Sequence, residues 1–256
     1  MKKIENNIEN NIENKKIVLP NFFTMLNMFC GFFAIIEILQ KNYVVGCWLI
    51  IAASVFDALD GKIAKFINTR SKFGIEFDSL ADLISFGVAP SILIYNLYFN
   101  SFGNLGIFIS FIPLACGGFR LARFNITPLS IKKENFTGLP IPLYALAISS
   151  FVILNYDLWE TMKLSPLFIP MVFLLSILMV SKIKYDKLPK FKFTKNRKNN
   201  IKLLIIFIYL LIISFFKGKA IFPLILILIF HGIARWAINL SKSKQDDEVA
   251  DISIYE

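Results

Sequence analysis

The sequence is poor in the side chains that carry most soluble enzyme chemistry. Among 256 residues there is one histidine, His231, and three cysteines, Cys30, Cys47 and Cys116. A single histidine excludes a His-based triad, a His-rich metal site and haem ligation by paired histidines. The cysteines sit in apolar segments without paired spacing, which argues against a disulfide framework and a zinc site. Charge is scarce too. Asp, Glu, Lys and Arg make up 18% of the chain, against about 25% in a typical soluble domain. Metal binding and acid–base chemistry therefore fall to carboxylates.

What the chain has in excess is apolar surface. Hydrophobic residues make up 56%, Phe alone contributes 27 residues, and the mean hydropathy is +0.61. Lipid is the solvent such a chain fits. A transmembrane helix needs roughly 20 mostly apolar residues, and eight segments qualify or nearly so: 21–39, 43–66, 77–99, 105–124, 139–156, 165–181, 201–216 and 219–240. The formal net charge of +10 would suggest nucleic acid in a soluble protein. Its distribution points elsewhere. Lys and Arg number 24 in the N-terminal tail, 62–72, 120–133, 182–202 and from Arg235 onward, but only 4 (Lys41, Lys163, Lys217, Lys219) on the alternate side. This is the positive-inside bias of eight spans with both termini cytoplasmic in the cell membrane. No nucleic-acid partner is expected.

The fold expected is an all-α integral membrane protein. Residues 1–18 form a cytoplasmic tail, 19–240 the transmembrane domain and 241–256 a polar, disordered tail. Ile4, Ile8 and Ile12 recur every four residues and fall on one helical stripe. They read either as a low-complexity tail or as a short helix on the membrane surface, and the second is favoured.

The second segment runs apolar from Tyr43 until it meets Asp57, followed by Asp60-Gly61, Ala64 and Lys65; the third opens with Gly74, Asp78 and Asp82. Asp57 and Asp60 are spaced i, i+3, and Asp78 and Asp82 i, i+4, so each pair shares one helical face. Antiparallel helices joined by a short loop would bring all four together. Four carboxylates repel one another unless cations neutralise them, and oxygen-only ligands select hard ions such as Mg²⁺ or Mn²⁺. Two such ions would make a clamp suited to phosphoryl chemistry. Lys62, Lys65 and Arg70 offer positive charge for phosphate. The bland alternative is a set of solvated helix-end acids balancing nearby lysines.

The pattern Asp57-x-x-Asp60-Gly61-x-x-Ala64-Lys65, eight residues, then Gly74-x-x-x-Asp78-x-x-x-Asp82 resembles the motif of the CDP-alcohol phosphotransferase family. The family has Arg where this chain has Lys65, and lysine keeps the cation while losing the bidentate fork. The resemblance implies a helical membrane fold with a six-span core, usually a homodimer. It implies that an alcohol attacks the lipid-side phosphorus of a metal-bound CDP-lipid and CMP leaves. Asp57, Asp60 and Asp78 would be metal ligands, and Asp82 a ligand or the base. Gly61, Ala64 and Gly74 would leave room for the cytidine, and Lys65 would face the pyrophosphate.

The acceptor is not given by that motif. Gly117-Gly118-Phe119-Arg120-Leu121-Ala122-Arg123-Phe124-Asn125, Phe136-Thr137-Gly138-Leu139-Pro140-Ile141-Pro142 and Pro20-Asn21-x-x-Thr24-x-x-Asn27-x-x-x-Gly31 resemble segments of the family's phosphatidylserine synthase branch. That branch implies CDP-diacylglycerol and L-serine as substrates. Arg120 and Arg123, spaced i, i+3, could hold serine's carboxylate or simply be flanking charge. Thr24 and Asn27 could contact the CDP-lipid or join helices. Three other readings stay open at this point: another acceptor (glycerol 3-phosphate or an inositol phosphate), an archaeal-type ether-lipid donor, and a divalent-cation transporter.

Overall fold

The computed structural model describes residues 2–67, 71–126, 136–181, 183–185 and 217–252. Eight α-helices account for most of them: α1 Lys2–Leu39, α2 Tyr43–Ile67, α3 Lys72–Asp82, α4 Ala89–Leu97, α5 Asn104–Ile126, α6 Ile141–Trp159, α7 Phe168–Val180 and α8 Ile221–Ile252. A π-helical stretch, Leu83–Val88, joins α3 to α4. Two-residue strands, β1 Phe136–Thr137 and β2 Lys184–Tyr185, pair antiparallel.

Among the described residues, six stretches are long and apolar enough to cross a membrane: Pro20–Leu39, Tyr43–Ala64, Lys72–Leu97, Asn104–Ile126, Ile141–Trp159 and Gly218–Trp236. The chain is an all-helical, multi-pass membrane protein. The span expected at 165–181 is a 3₁₀ turn followed by the 13 residues of α7. At 1.5 Å per residue α7 is roughly 20 Å long, short of the ~30 Å hydrocarbon core. The span expected at 201–216 lies outside the described residues.

Both chain ends are more helical than expected. The N-terminal isoleucine segment is a helix, but it runs without a break into the first span. Pro20 sits inside that helix and removes one backbone hydrogen bond where the charged tail meets the apolar run. The C-terminal tail, expected to be disordered, continues α8 to Ile252. After Gly232 it holds neither Gly nor Pro, and Lys242/Asp246 and Lys244/Glu248 have the i, i+4 spacing that supports a helix.

α1 shows how the bundle sorts its residues. Phe22, Met25, Phe29, Phe32 and Phe33 are exposed, whereas Thr24, Asn27, Cys30, Ala34 and Ile38 are buried. Both sets recur at helical spacing, with the large apolar set facing outward. That arrangement suits a lipid surround and would be unstable in water. The centre of the bundle is α6, where Tyr144, Ile148 and Phe151 are fully enclosed. Phe151 meets Phe168 of α7 edge to face, at 5.4 Å between ring centroids, a preferred aromatic geometry.

The loop before α6 is tied to the end of α7. Gly138 N–H donates to the Ile183 carbonyl at 2.8 Å, and Leu139 N–H to that of Leu178 at 2.9 Å. Gly138 has φ +78°, and a Cβ there would collide with the Met179 carbonyl oxygen. Glycine is required on both counts. Pro142 then lies in the first turn of α6, where its missing N–H costs nothing.

Candidate active site

The acidic residues are positioned by the hairpin of α2 and α3. α3 starts at Ser71, whose hydroxyl accepts a hydrogen bond from Gly74 N–H at 2.9 Å. This N-cap fixes the register of everything after it on α3. Asp57 and Asp60 on α2 and Asp78 on α3 then converge, each offering a carboxylate oxygen, with these oxygens all within 4.8 Å of one another. Asp82, one turn further along α3, is buried and within electrostatic reach of the other three.

The first helix supplies polar partners from the other side. Thr24 Oγ1 is 2.9 Å from Asp60 Oδ2 and 3.2 Å from the Pro20 carbonyl. A hydroxyl has one proton to give, and the shorter, charge-assisted contact with Asp60 is the stronger one. Asn27 Nδ2 donates to Asp82 Oδ1 at 3.1 Å. Ser85, in the π-helical stretch, donates to the backbone carbonyl of Asn27 at 2.9 Å. The wider π turn places Ser85, Phe86 and Gly87 in the interior together, and such turns are frequent at functional sites. Contact this close needs Gly31: a Cβ there would lie 2.6 Å from Ser85 Cα.

The two arginines of α5 part company. Arg120 is 7% exposed and within electrostatic reach of Asp82. Arg123 donates to the carbonyls of Val180 at 2.9 Å and Ser181 at 3.4 Å. These carbonyls end α7, where a cation offsets the helix dipole. At the same end of the bundle Asn125 donates to Glu76 Oε2 at 3.1 Å and to Ser79 at 3.0 Å, bracing α5 against α3 on both sides of Asp78.

Of the expected site residues, the structure thus gathers Thr24, Asn27, Asp57, Asp60, Asp78, Asp82 and Arg120 in one place. Gly61 follows on α2, and a Cβ there would meet nothing within 4 Å, so protein packing does not demand its glycine. Ala64 is half-buried one turn on. Gly74 stands at the start of α3, and a Cβ there would lie 3.4 Å from Asn21 Oδ1. Lys65 is on α2, and its side chain lies outside the described residues. Sequence reasoning gave no role to Ser71, Ser85 or Asn125. Ser71 has N-cap spacing to Gly74, and Ser85 is i+3 from Asp82, so spacing could have flagged both. Nothing in the sequence pairs Asn125 with Glu76.

Three carboxylates this close, two half-buried and one buried, repel strongly unless a cation sits among them. Every donor is a carboxylate oxygen, the set that hard divalent ions prefer. The residues fit a divalent metal.

The model of the CDP-alcohol phosphatidyltransferase family matches residues 17–183. The chain belongs to the CDP-alcohol phosphatidyltransferase family. The match runs from the end of the N-terminal tail past α7 and contains every expected site residue. Relatives of this CDP-alcohol phosphatidyltransferase include the CDP-diacylglycerol–serine O-phosphatidyltransferase of Helicobacter pylori, 37% identical over 90% of this chain and 95% of that protein. The enzyme of the same name from Bacillus subtilis is 35% identical over 68% of this chain and 91% of its own length. An archaetidylserine synthase of Methanothermobacter thermautotrophicus is 39% identical over 67% of this chain and 70% of its own. Membership of this enzyme family removes the cation-transporter reading. The family uses a divalent metal, in keeping with the Asp57–Asp60–Asp78 cluster.

Proposed function

We propose that this chain transfers a phosphatidyl group from CDP-diacylglycerol to the hydroxyl of L-serine, giving phosphatidylserine and CMP. One observation carries the reading. The metal-competent carboxylates of α2 and α3 lie with the buried Asp82, and the buried Arg120 is within its electrostatic reach, in a chain 37% identical over 90% of its length to an enzyme named for that reaction.

In this reading Asp57, Asp60, Asp78 and Asp82 hold two Mg²⁺ or Mn²⁺ ions. Bound there, the ions neutralise the pyrophosphate and the charge that develops on it. Thr24, Gly61, Ala64, Lys65 and Gly74 receive the CDP-lipid. The open space at Gly61 lets the nucleotide approach the helix backbone, and Lys65 supplies positive charge to the pyrophosphate. Arg120 orients serine by its carboxylate. Serine's hydroxyl oxygen forms a bond to the lipid-side phosphorus as its proton passes to Asp82. The bond from that phosphorus to the bridging oxygen breaks, and CMP departs with the oxygen and its electron pair. Arg123 acts at one remove, by holding the end of α7.

The same reading has the protein in the cytoplasmic membrane with both termini in the cytoplasm, as the basic loops favour, and as a homodimer. It keeps eight spans by adding two to the six above: the short apolar helix Ser165–Val180 and the segment 201–216. Residues 1–18 form an interfacial tail, 19–240 the catalytic domain and 241–256 a polar extension.

The test is CMP release in detergent with Mn²⁺ or Mg²⁺, offering serine, glycerol 3-phosphate, inositol phosphate or no acceptor. Serine-dependent release that EDTA abolishes is expected. Release with a different acceptor would overturn the serine assignment. The 39% identity to an archaetidylserine synthase adds one arm, an ether-linked CDP-lipid, which separates the two donor classes directly.

A further inference from the structure

We infer that Asn27 and Arg120 form the acceptor-recognition pair, with Asn27 Oδ1 receiving the ammonium of an α-amino acid and Arg120 Nε its carboxylate. This rests on the serine reading above and specifies how that substrate is chosen.

Two observations meet at Asp82. Asn27 is wholly buried, and its Nδ2 donates to Asp82 Oδ1. An ionised carboxylate only accepts hydrogen bonds, so the amide must present nitrogen to Asp82 and its oxygen elsewhere. That oxygen is buried and has no hydrogen-bond partner among the described residues. Arg120 Nε is likewise buried with no hydrogen-bond partner among the described residues, and its guanidinium lies within electrostatic reach of the same Asp82. Buried polar atoms are almost always satisfied. A neutral acceptor and a cationic donor left open beside one carboxylate call for a ligand that carries the converse groups.

L-Serine does so on a two-carbon frame: ammonium for the acceptor, carboxylate for the donor, and a hydroxyl for Asp82. A phosphorylated alcohol would satisfy Arg120 but bring no ammonium to Asn27. The structure around Asn27 keeps the oxygen in place. Ser85 holds its backbone carbonyl, and Gly31 lets the helices close there. Asn27 thus belongs to acceptor choice and not to the CDP-lipid. Serine is selected by pairing both charged ends, and an analogue lacking either end leaves a buried group unpaired, which is a strong means of rejection.

The experiment uses the full chain in detergent with Mn²⁺ and three acceptors: L-serine, 3-hydroxypropionate (no ammonium) and ethanolamine (no carboxylate). An analogue that does not turn over is measured as a competitive inhibitor. In Asn27→Leu, the preference for serine over 3-hydroxypropionate should fall roughly tenfold or more. In Arg120→Met, the preference for serine over ethanolamine should fall by a similar factor. Ratios cancel any loss common to all acceptors, including one from Asp82 losing its partner, and KM for CDP-diacylglycerol should stay within about twofold. Unchanged ratios with serine activity intact would overturn the inference and leave the serine reading standing. A rise in KM for CDP-diacylglycerol without a change in ratio would place Asn27 on the lipid nucleotide and overturn it equally. Parent enzyme that ignores serine but uses glycerol 3-phosphate would overturn both.

Discussion

Asn27 reaches across from the first helix to hold Asp82, nitrogen to Oδ1 at 3.1 Å. The residues are 55 positions apart, yet this contact fixes the orientation of the fourth carboxylate. The bond leaves the other oxygen of Asp82 for different work, and a carboxylate so anchored is suited to taking a proton at a defined place.

The first prediction concerns that oxygen. Asp82→Asn removes the base and keeps the shape. CMP release should fall by roughly 10²–10⁴-fold, the range for losing a general base. Binding of CDP-diacylglycerol, followed by competition with a labelled analogue, should persist. Turnover at the parent rate would show that the proton goes elsewhere.

Gly31 makes the second. A Cβ at this position would strike Ser85, including its Cα at 2.6 Å, so trimming the serine side chain cannot relieve the clash. Gly31→Ala should cost about 1–3 kcal/mol and lower the detergent melting temperature, and adding Ser85→Ala should not rescue it. Ser85→Ala alone loses one hydrogen bond, about 1 kcal/mol. Recovery in the double variant would mean that α1 and the π turn are not locked backbone to backbone.

Much of this site is visible in the sequence, and the reason is periodicity. Asp57 and Asp60, and Asp78 and Asp82, share faces because helical spacing dictates it, and a short hairpin does the rest. The six spans among the described residues are legible for the same reason, since a bilayer sets their length. The α-helical continuation at each end of the chain is less legible. Charged residues at i, i+4 support a helix only weakly, and a polar tail reads equally well as coil. The π turn is invisible to pattern reading, and so is the hydrogen bond from Ser85 within it to the α1 backbone. Arg120 and Arg123 look interchangeable in sequence at i, i+3. Only the position of α7, a long-range matter, ties Arg123 to the Val180 carbonyl and leaves Arg120 buried within electrostatic reach of Asp82.

That divergence gives the third prediction. Arg123→Ala should destabilise the protein by roughly 1.5–3 kcal/mol, the range for a hydrogen bond to a charged group. KM for serine should move less than about threefold. Arg123→Lys should recover part of the stability, because a cation near a helix C-terminus is favourable even without the fork. A tenfold rise in serine KM with an unchanged melting temperature would put Arg123 on the substrate instead.

A fourth prediction tests the carboxylate cluster apart from turnover. A divalent ion that relieves repulsion among Asp57, Asp60 and Asp78 binds the folded state and stabilises it, by about 2.7 kcal/mol at a concentration 100 times Kd. Mn²⁺ should therefore raise the melting temperature of the parent. Asp57→Asn with Asp78→Asn should abolish the rise while melting normally without metal, since neutral amides repel less. An equal rise in parent and variant would mean the ion binds elsewhere.

Gly61 allows stability and function to be separated most sharply. It lies inside α2, where glycine is worse than alanine by roughly 0.5–1 kcal/mol. The position is exposed, and a Cβ would meet no protein atom within 4 Å. On packing grounds Gly61→Ala should therefore be neutral or slightly stabilising. If the open space beside Gly61 is where the nucleotide lies against the helix, the added methyl intrudes on substrate alone. KM for CDP-diacylglycerol should rise about tenfold or more, KM for serine should stay within about twofold, and the melting temperature should hold or increase. Gly31→Ala gives the opposite pattern, a loss of stability without substrate selectivity, so the pair serves as its own control. A Gly61→Ala enzyme with parent KM for the CDP-lipid would show that the nucleotide does not use this face of α2, and its place would then have to be sought nearer Gly74 and Asn21 at the start of α3.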